Sequence, residues 1–395
     1  MRYIFIFFLF LSSTNIFATS LSELTAHAKQ PQLIQETIDA KELALASKNL
    51  AETETAPLIY HQSLSHNRGR DTSGFEYEVS FSKVFKLGNV LALEKRENSL
   101  KNRAYLLEQQ KEIFRYNAYL GQRYHNYCLD QSYLDGFRVR VDNFTKLYTK
   151  KKQAYHEDEI SKTELLQLDL EKQQLESRLR SLLSKQHNAK AHIFDLTTLD
   201  SSETLLCSDI YPIVRMMILS DNSATLTQEA YDKRIESTQV GLKRYSQKIE
   251  SLEVGMGYTK ELGRDIYTIA LSVPLDFSTR KSEYKRASLL HQSSVLTLQN
   301  EQKTQQRNRE ILRLQKRLKQ SFLAIESQKT MIYNYTSSLL PLIKKSYEYG
   351  ESSVIEYLLS EQKLYQLKEK LLEKKRGYFK TLFKLYSMIE TKEIL

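Results

Sequence analysis

The chain has 395 residues, a formal net charge of +10, 41% hydrophobic residues, only five prolines and eleven glycines. That composition suits long helices, and lysine and arginine interleaved with acids suit a solvated helix surface. The two cysteines form no Cys-x-x-Cys and the eight histidines no His-x-x-x-His. His187 and His192 stand five apart, a poor spacing for one helical face, which argues against a preformed metal site.

Residues 1–20 read as an export signal. Arg2 precedes the apolar run from Tyr3 to Leu11, and Ala18-Thr-Ser20 offers small residues at the −3 and −1 positions for a cut after Ser20. A membrane anchor is the alternative, but the run is too short to span, and no later stretch approaches 18 apolar residues. Neither cysteine follows the signal directly, which removes a lipid anchor on cysteine. Export also argues against a nucleic-acid partner.

A first repeat is expected over 21–200. Leu21 to Glu54 reads as one helix with Leu24, Ala28, Leu33, Ile38, Leu45 and Leu50 as apolar positions. Near Pro57 the period changes to two. A β-hairpin follows at about 58–85, with Phe75, Tyr77, Val79 and Phe81 alternating with Glu76, Glu78, Ser80 and Ser82. From Lys86 to about Tyr155 the pattern is helical, about 100 Å at about 1.5 Å per residue. That length demands helix–helix packing in a coiled-coil manner. A helical hairpin with its tip near 155–166 returns to about Leu196.

The second repeat is expected over 201–395. A linker at 197–224 precedes a helix. A β-hairpin follows at about 251–277, where Tyr267, Ile269, Leu271 and Val273 alternate with small or polar residues. A second long helical hairpin has its tip near 347–358. The repeat rests on a shared frame: Tyr155/Tyr347, Glu159/Glu351, Ser161/Ser353, Glu164/Glu356 and Leu166/Leu358. Cys128 lies in a helical pattern and Cys207 in the linker, a placement that disfavours a bridge although export permits one.

Four strands of about ten residues, apolar on one face, fit transmembrane β-strands; a half-buried sheet packed on a helix is the alternative. Four strands cannot close a barrel, and open edges are not tolerated in lipid, so a membrane sheet must be shared among chains.

On Tyr347-x-x-Gly350-x-x-Ser353-x-x-Glu356-x-Leu358, its copy at Tyr155, the strand into Leu271-Ser-Val-Pro-Leu-Asp-Phe277 and the opening Leu21-Ser-Glu-Leu, the chain resembles the TolC-type outer-membrane efflux proteins. The resemblance implies a mainly α fold with a small β part: a homotrimer with a long α-barrel and a shared twelve-stranded transmembrane β-barrel. It implies a passive duct in the outer membrane of a Gram-negative cell, extending into the periplasm. The duct joins a periplasmic adaptor protein and an inner-membrane pump or a type I secretion engine, and in that family the pump selects the cargo. It implies no enzyme, no cofactor and no metal. A periplasmic coiled-coil structural or adaptor protein without a pore is the second reading, and fits the paired hairpins less well.

The resemblance places Asp158 and Gly350 at the periplasmic tip turns, and Asp158, standing where glycine is usual, is expected with φ > 0. It makes Glu164, Tyr347 and Glu356 entrance-gating residues, with the Tyr347 hydroxyl donating to Glu164. The alternative for Glu356 is an ordinary helix-surface glutamate. Lys150-Lys-Lys152 reads either as an adaptor contact or as a solvated helix end. Phe75, Tyr77, Phe81 and Tyr267 are expected toward lipid, with Glu76, Glu78, Glu253 and Asp276 toward the barrel interior. With no Trp in the chain, the 25 tyrosines would supply the interfacial anchors.

Overall fold

The computed structural model describes residues 18–54, 58–68, 73–87, 89–215, 225–247, 249, 251–273 and 280–390. Most of the expected export signal, and Asp276, lie outside them. The chain is mainly helical with a small antiparallel sheet and divides into two bodies. One comprises Met1–Gln32, Phe114–Ser220 and Glu310–Leu395; the other comprises Leu33–Ile113 and Asp221–Arg309.

The expected single helix from Leu21 to Glu54 is in fact two. After the bridge strand β1 (Ala18–Thr19), α1 spans Leu21–Ala26 and α2 spans Lys29–Glu54. The break is made by long-range bonds. Ala28 is fully buried and bridges Thr197, and the Lys29 amide donates to the Leu196 carbonyl at 3.0 Å. Helical periodicity alone carries no trace of these partners.

α3 (Val90–His156), whose part from Phe114 onward lies in the first body, reverses into α4 (Lys162–Asp195). α6 (Lys281–Asn334) runs through a π-helical turn at Tyr335–Leu339 into α7 (Leu340–Glu348), which reverses into α8 (Val354–Ile389). Pro341 lacks an N–H, so an ordinary α-helical bond back to Ser337 cannot form, and the ladder widens there. Apolar seams fasten the helices. Leu314, Leu318 and Ile325 of α6 meet Leu372, Phe379, Leu382 and Leu385 of α8 in one. Phe137 and Phe144 of α3 meet Leu168, Leu175 and Val354 in another, near the reversals.

The linker between the repeats is strapped into this body. β4 (Thr204–Leu205) pairs in parallel with β1. Tyr124 donates its hydroxyl to the Leu206 carbonyl, the Asp209 carboxylate accepts from the Leu21 amide at 3.1 Å, and the Tyr378 hydroxyl bonds both backbone groups of Val214 at 3.1 Å. Cys128 and Cys207 are joined by a disulfide, which corrects the sequence expectation. A helical position and a linker position do meet, because the strap crosses α3 at that turn.

His125, one turn before Cys128, is wholly buried between Tyr124, Tyr211, Phe379 and Phe383. Its Nδ1 lies 2.8 Å from the Gly121 carbonyl, so it carries the proton, and its Nε2 accepts from the Tyr211 amide at 2.9 Å. Burial holds the imidazole down to a pKa of about 4, against smaller raising effects of the Gly121 carbonyl and Asp209. Gly121 itself admits the ring of Phe383, since a Cβ there would stand 2.6 Å from Cε1.

The second body holds a four-stranded antiparallel sheet in the order β2 (Leu58–Arg68), β3 (Ser73–Lys86), β5 (Ser251–Glu261), β6 (Arg264–Ser272). The inner pair β3–β5 joins one hairpin from each repeat. Between them in sequence lies α5 (Leu226–Arg244), opened by a Thr225–Gln228 capping box. Arg244 lies 3.2 Å from the buried carboxylate of Glu97, which Lys101 also pairs at 2.5 Å.

Candidate functional site

Both reversals are built by the same backbone bonds. At the first, the Asp158 amide donates to Tyr155 at 3.2 Å and the Glu159 amide to Ala154 at 2.8 Å. At the second, Gly350 donates to Tyr347 at 3.1 Å and Glu351 to Ser346 at 2.8 Å. This is the Schellman pattern, which needs a left-handed residue just past the helix. Asp158 takes φ 59° and Gly350 φ 75°, as their sequence context requires. Two residues after each turn a serine starts the next helix. Ser161 accepts from the Glu164 amide at 3.1 Å, and Ser353 accepts from the Glu356 amide at 3.2 Å.

The two glutamates then diverge. Glu356 closes its capping box by accepting from the Ser353 amide at 3.3 Å. Glu164 instead points to Lys151 of α3, 3.6 Å from its Nζ. The expected hydrogen bond from Tyr347 to Glu164 is not found among the described residues. Lys151 stands between them, with its Nζ 5.5 Å from the Tyr347 ring centroid. Tyr347 stacks on Tyr357 at 5.4 Å and 11°. The basic run is thereby split: Lys150 and Lys152 are exposed, and Lys151 turns inward. Sequence reading missed Lys151 because a lysine inside a lysine run gives no sign of its direction.

A groove of about 400 Å³ opens beside the second reversal, where Lys146, Lys150 and Lys344 face Tyr347, Tyr357 and Glu361. The Tyr357 hydroxyl, 3.5 Å from Glu361, is pushed up to about 12, by burial first and then by the Glu361 charge. It stays protonated and serves as a donor. Tyr365 donates to the Gly136 carbonyl at 3.2 Å with Arg140 4.5 Å over its ring, linking the two hairpins.

The sheet presents a second feature. Register puts Leu58, Tyr60 and Leu64 of β2 on one face with Phe75, Tyr77, Phe81 and Phe85 of β3. Met256 and Tyr258 of β5 and Tyr267, Ile269 and Leu271 of β6 continue it. This face is open: Phe75 is 67% exposed, Met256 62%, and Tyr267 and Ile269 81% each. The opposite face carries Glu76, Glu78, Ser80, Ser82, Glu253, Gly255, Gly257, Thr268 and Ala270. β2 and β6 are the outer strands, and each leaves one edge unpaired among the described residues. No helix among the described residues is long and apolar enough to cross a membrane, and no group of metal-ligating side chains occurs among them.

Solved structures share this arrangement. CusC superposes with a TM-score of 0.74 at 14% identity, over 93% of this chain and 90% of that one. The chain has the fold of an outer-membrane channel. The outer membrane protein VceC from Vibrio cholerae matches with a TM-score of 0.72 at 12% identity, over 94% of this chain and 95% of its own. The CmeC outer membrane channel of Campylobacter jejuni matches with a TM-score of 0.71 at 10% identity, over 94% of this chain and 85% of its own. No protein-family model and no curated protein sequence matches the chain. The likeness to the TolC-type efflux fold, read first from the Tyr347 segment, is therefore carried by the fold and not by overall sequence identity.

Proposed function

We propose that the chain is one subunit of a homotrimeric outer-membrane efflux channel, a passive exit duct for cargo delivered by an inner-membrane pump through a periplasmic adaptor. The observation that carries this is the sheet: one largely apolar face, broken only by Gln62, His66, Lys83 and Lys260, open, and two unpaired edges among the described residues. In water that face is an uncovered hydrophobic surface of the kind that marks an interaction site, and the edges invite pairing. In lipid the face is satisfied, but the edges are not, because each unpaired backbone group there costs several kcal/mol. Joining β6 of one copy to β2 of the next satisfies both, and three copies close twelve strands. Phe75, Tyr77, Phe81 and Tyr267 then meet lipid, and Glu76, Glu78 and Glu253 face the bore.

Asp158 and Gly350 turn the helical hairpins at the periplasmic entrance, where the adaptor engages. Glu356 of three copies would form a ring that attracts cations, although each is also held by its capping box. Lys151 takes the latch role that sequence reading gave to a Tyr347 hydrogen bond, by linking Glu164 to the Tyr347 ring. Lys151→Met is therefore expected to raise the resting conductance of the closed channel in planar bilayers. Tyr347→Phe keeps the ring and should leave that conductance unchanged; the reverse ranking would remove Lys151 from the latch.

Fractionation tests the main reading. The protein is expected in outer membranes, resistant to salt washing and extracted by detergent as a trimer that conducts ions. Recovery as a soluble periplasmic monomer would favour the pore-free coiled-coil reading instead, which leaves the open apolar face without an occupant.

A further inference from the structure

We infer that the export signal is cut between Ala18 and Thr19, two residues before the site that small-residue spacing favours, and that the new Thr19 ammonium group seats against Glu203. The inference rests on the export reading of the first residues. A cut after Ser20 is supported by Ala18 and Ser20 at −3 and −1. The fold opposes it, because both residues it would remove are working parts of the first body.

Thr19 is 2% exposed. Its carbonyl accepts from the Leu206 amide at 3.0 Å, and its hydroxyl donates to Glu203 at 2.5 Å. Ser20 caps α1 from both sides: its Oγ accepts from the Glu23 amide at 3.2 Å, and its own amide donates to the Glu23 carboxylate at 2.7 Å. Loss of Ser20 would strip the cap from a six-residue helix whose Leu21 and Leu24 are core residues. A cut after Ser20 would give Leu21 an ammonium group beside Asp209, which already accepts from its amide at 3.1 Å. The Ser20 carbonyl would also be lost to the Leu24 amide, so one ion pair would replace five hydrogen bonds and a buried side chain.

A cut after Ala18 keeps every one of those contacts and gives up only the Ala18 position opposite Thr204, leaving Thr19 opposite Leu205. Ala18 supplies the small side chain at −1, with Ile16 at −3. A signal peptidase would add water across the Ala18–Thr19 amide. Ala18 leaves with the carboxylate, and Thr19 keeps the nitrogen, which takes up a proton to become ammonium. Glu203, already bonded to the Thr19 hydroxyl, supplies the countercharge. Maturation would thus fasten the linker strap at its beginning, next to the β1–β4 pairing.

The test is the intact mass of the full-length protein extracted from outer membranes, followed by mild periodate treatment after denaturation in guanidinium. Periodate cleaves an N-terminal threonine, a 2-amino alcohol, to an aldehyde that a hydrazide captures. A chain beginning at Thr19, with quantitative hydrazide capture, is the expected result. A chain beginning at Leu21, inert to periodate, overturns this inference and leaves the export reading intact. A chain beginning at Met1 overturns both. For the Glu203 seat, Glu203→Gln should raise the rate at which an acylating reagent labels the Thr19 amine of the folded protein at pH 7, about tenfold for each unit by which the amine pKa falls. An unchanged rate removes Glu203 from the seat.

Discussion

At Tyr155–Glu164 and again at Tyr347–Glu356 the chain turns on backbone bonds that reach no further than six residues, whereas the linker strap at 204–214 is fixed from far away. Leu21 binds Asp209 across 188 positions, and Tyr378 binds Val214 across 164. The backbone turns vary separately: aspartate replaces glycine in one, and glutamate leaves its capping box for Lys151, whose ammonium also meets the Tyr347 ring beside the other. The strap has no second copy. Its disulfide, buried histidine and tyrosine hydroxyls each hold a distant element, so damage there should spread further than damage at a turn.

The largest effect is expected from the disulfide. Replacing both Cys128 and Cys207 with serine should lower stability by about 4.5 kcal/mol, the loop-closure value for a separation of 79 residues. Denaturant midpoints of the oxidised protein and the double variant check it. A loss below that of a turn substitution would break the contrast.

His125 should follow, and its sign is fixed. Its folded pKa of about 4 lies below the unfolded value of 6.5. Its neutral form therefore stabilises the fold fully above pH 6.5, and that contribution falls as pH drops toward about 4. The loss over this window is about 3 kcal/mol, because burial disfavours the imidazolium. Thermal melts between pH 7.5 and 4 measure it, and His125→Gln should flatten the slope while lowering stability at pH 7.5. An equal slope in that variant would assign the acid sensitivity elsewhere.

At the second reversal, Gly350→Val should cost about 2 kcal/mol, because a β-branched side chain is forced to φ 75°. Hydrogen exchange at α7 and α8 would localise the loss, and protection changes in α3 and α4 of similar size would contradict the independence of the two turns. Smaller still, Ser353→Ala should cost about 1 kcal/mol and Ser161→Ala less, since only the second copy has a closed capping box. Equal losses would mean that the rerouting of Glu164 has no energetic consequence.

Much of this molecule was legible in one dimension. Alternation at Phe75–Phe81 and Leu252–Leu271 marks strands because side chains point to opposite faces every second residue. The resemblance placed Asp158 and Gly350 at reversals, and the left-handed backbone of Asp158 was expected because few residues adopt positive φ. The helix break at Ala28, the turn of Lys151 toward Glu164 and the Cys128–Cys207 bond were not legible. Each depends on a partner that no spacing rule names.

The sequence by itself determined the two hairpins, the two turns and the serine caps, since all of them arise from interactions within a few residues. Only the tertiary structure decided that Thr19 and Ser20 belong to the fold, that the linker straps α1, α3 and α8, and that the apolar sheet face stays open. Those outcomes depend on which surfaces meet after the chain has crossed 79 residues or more, and local propensity carries no information at that range.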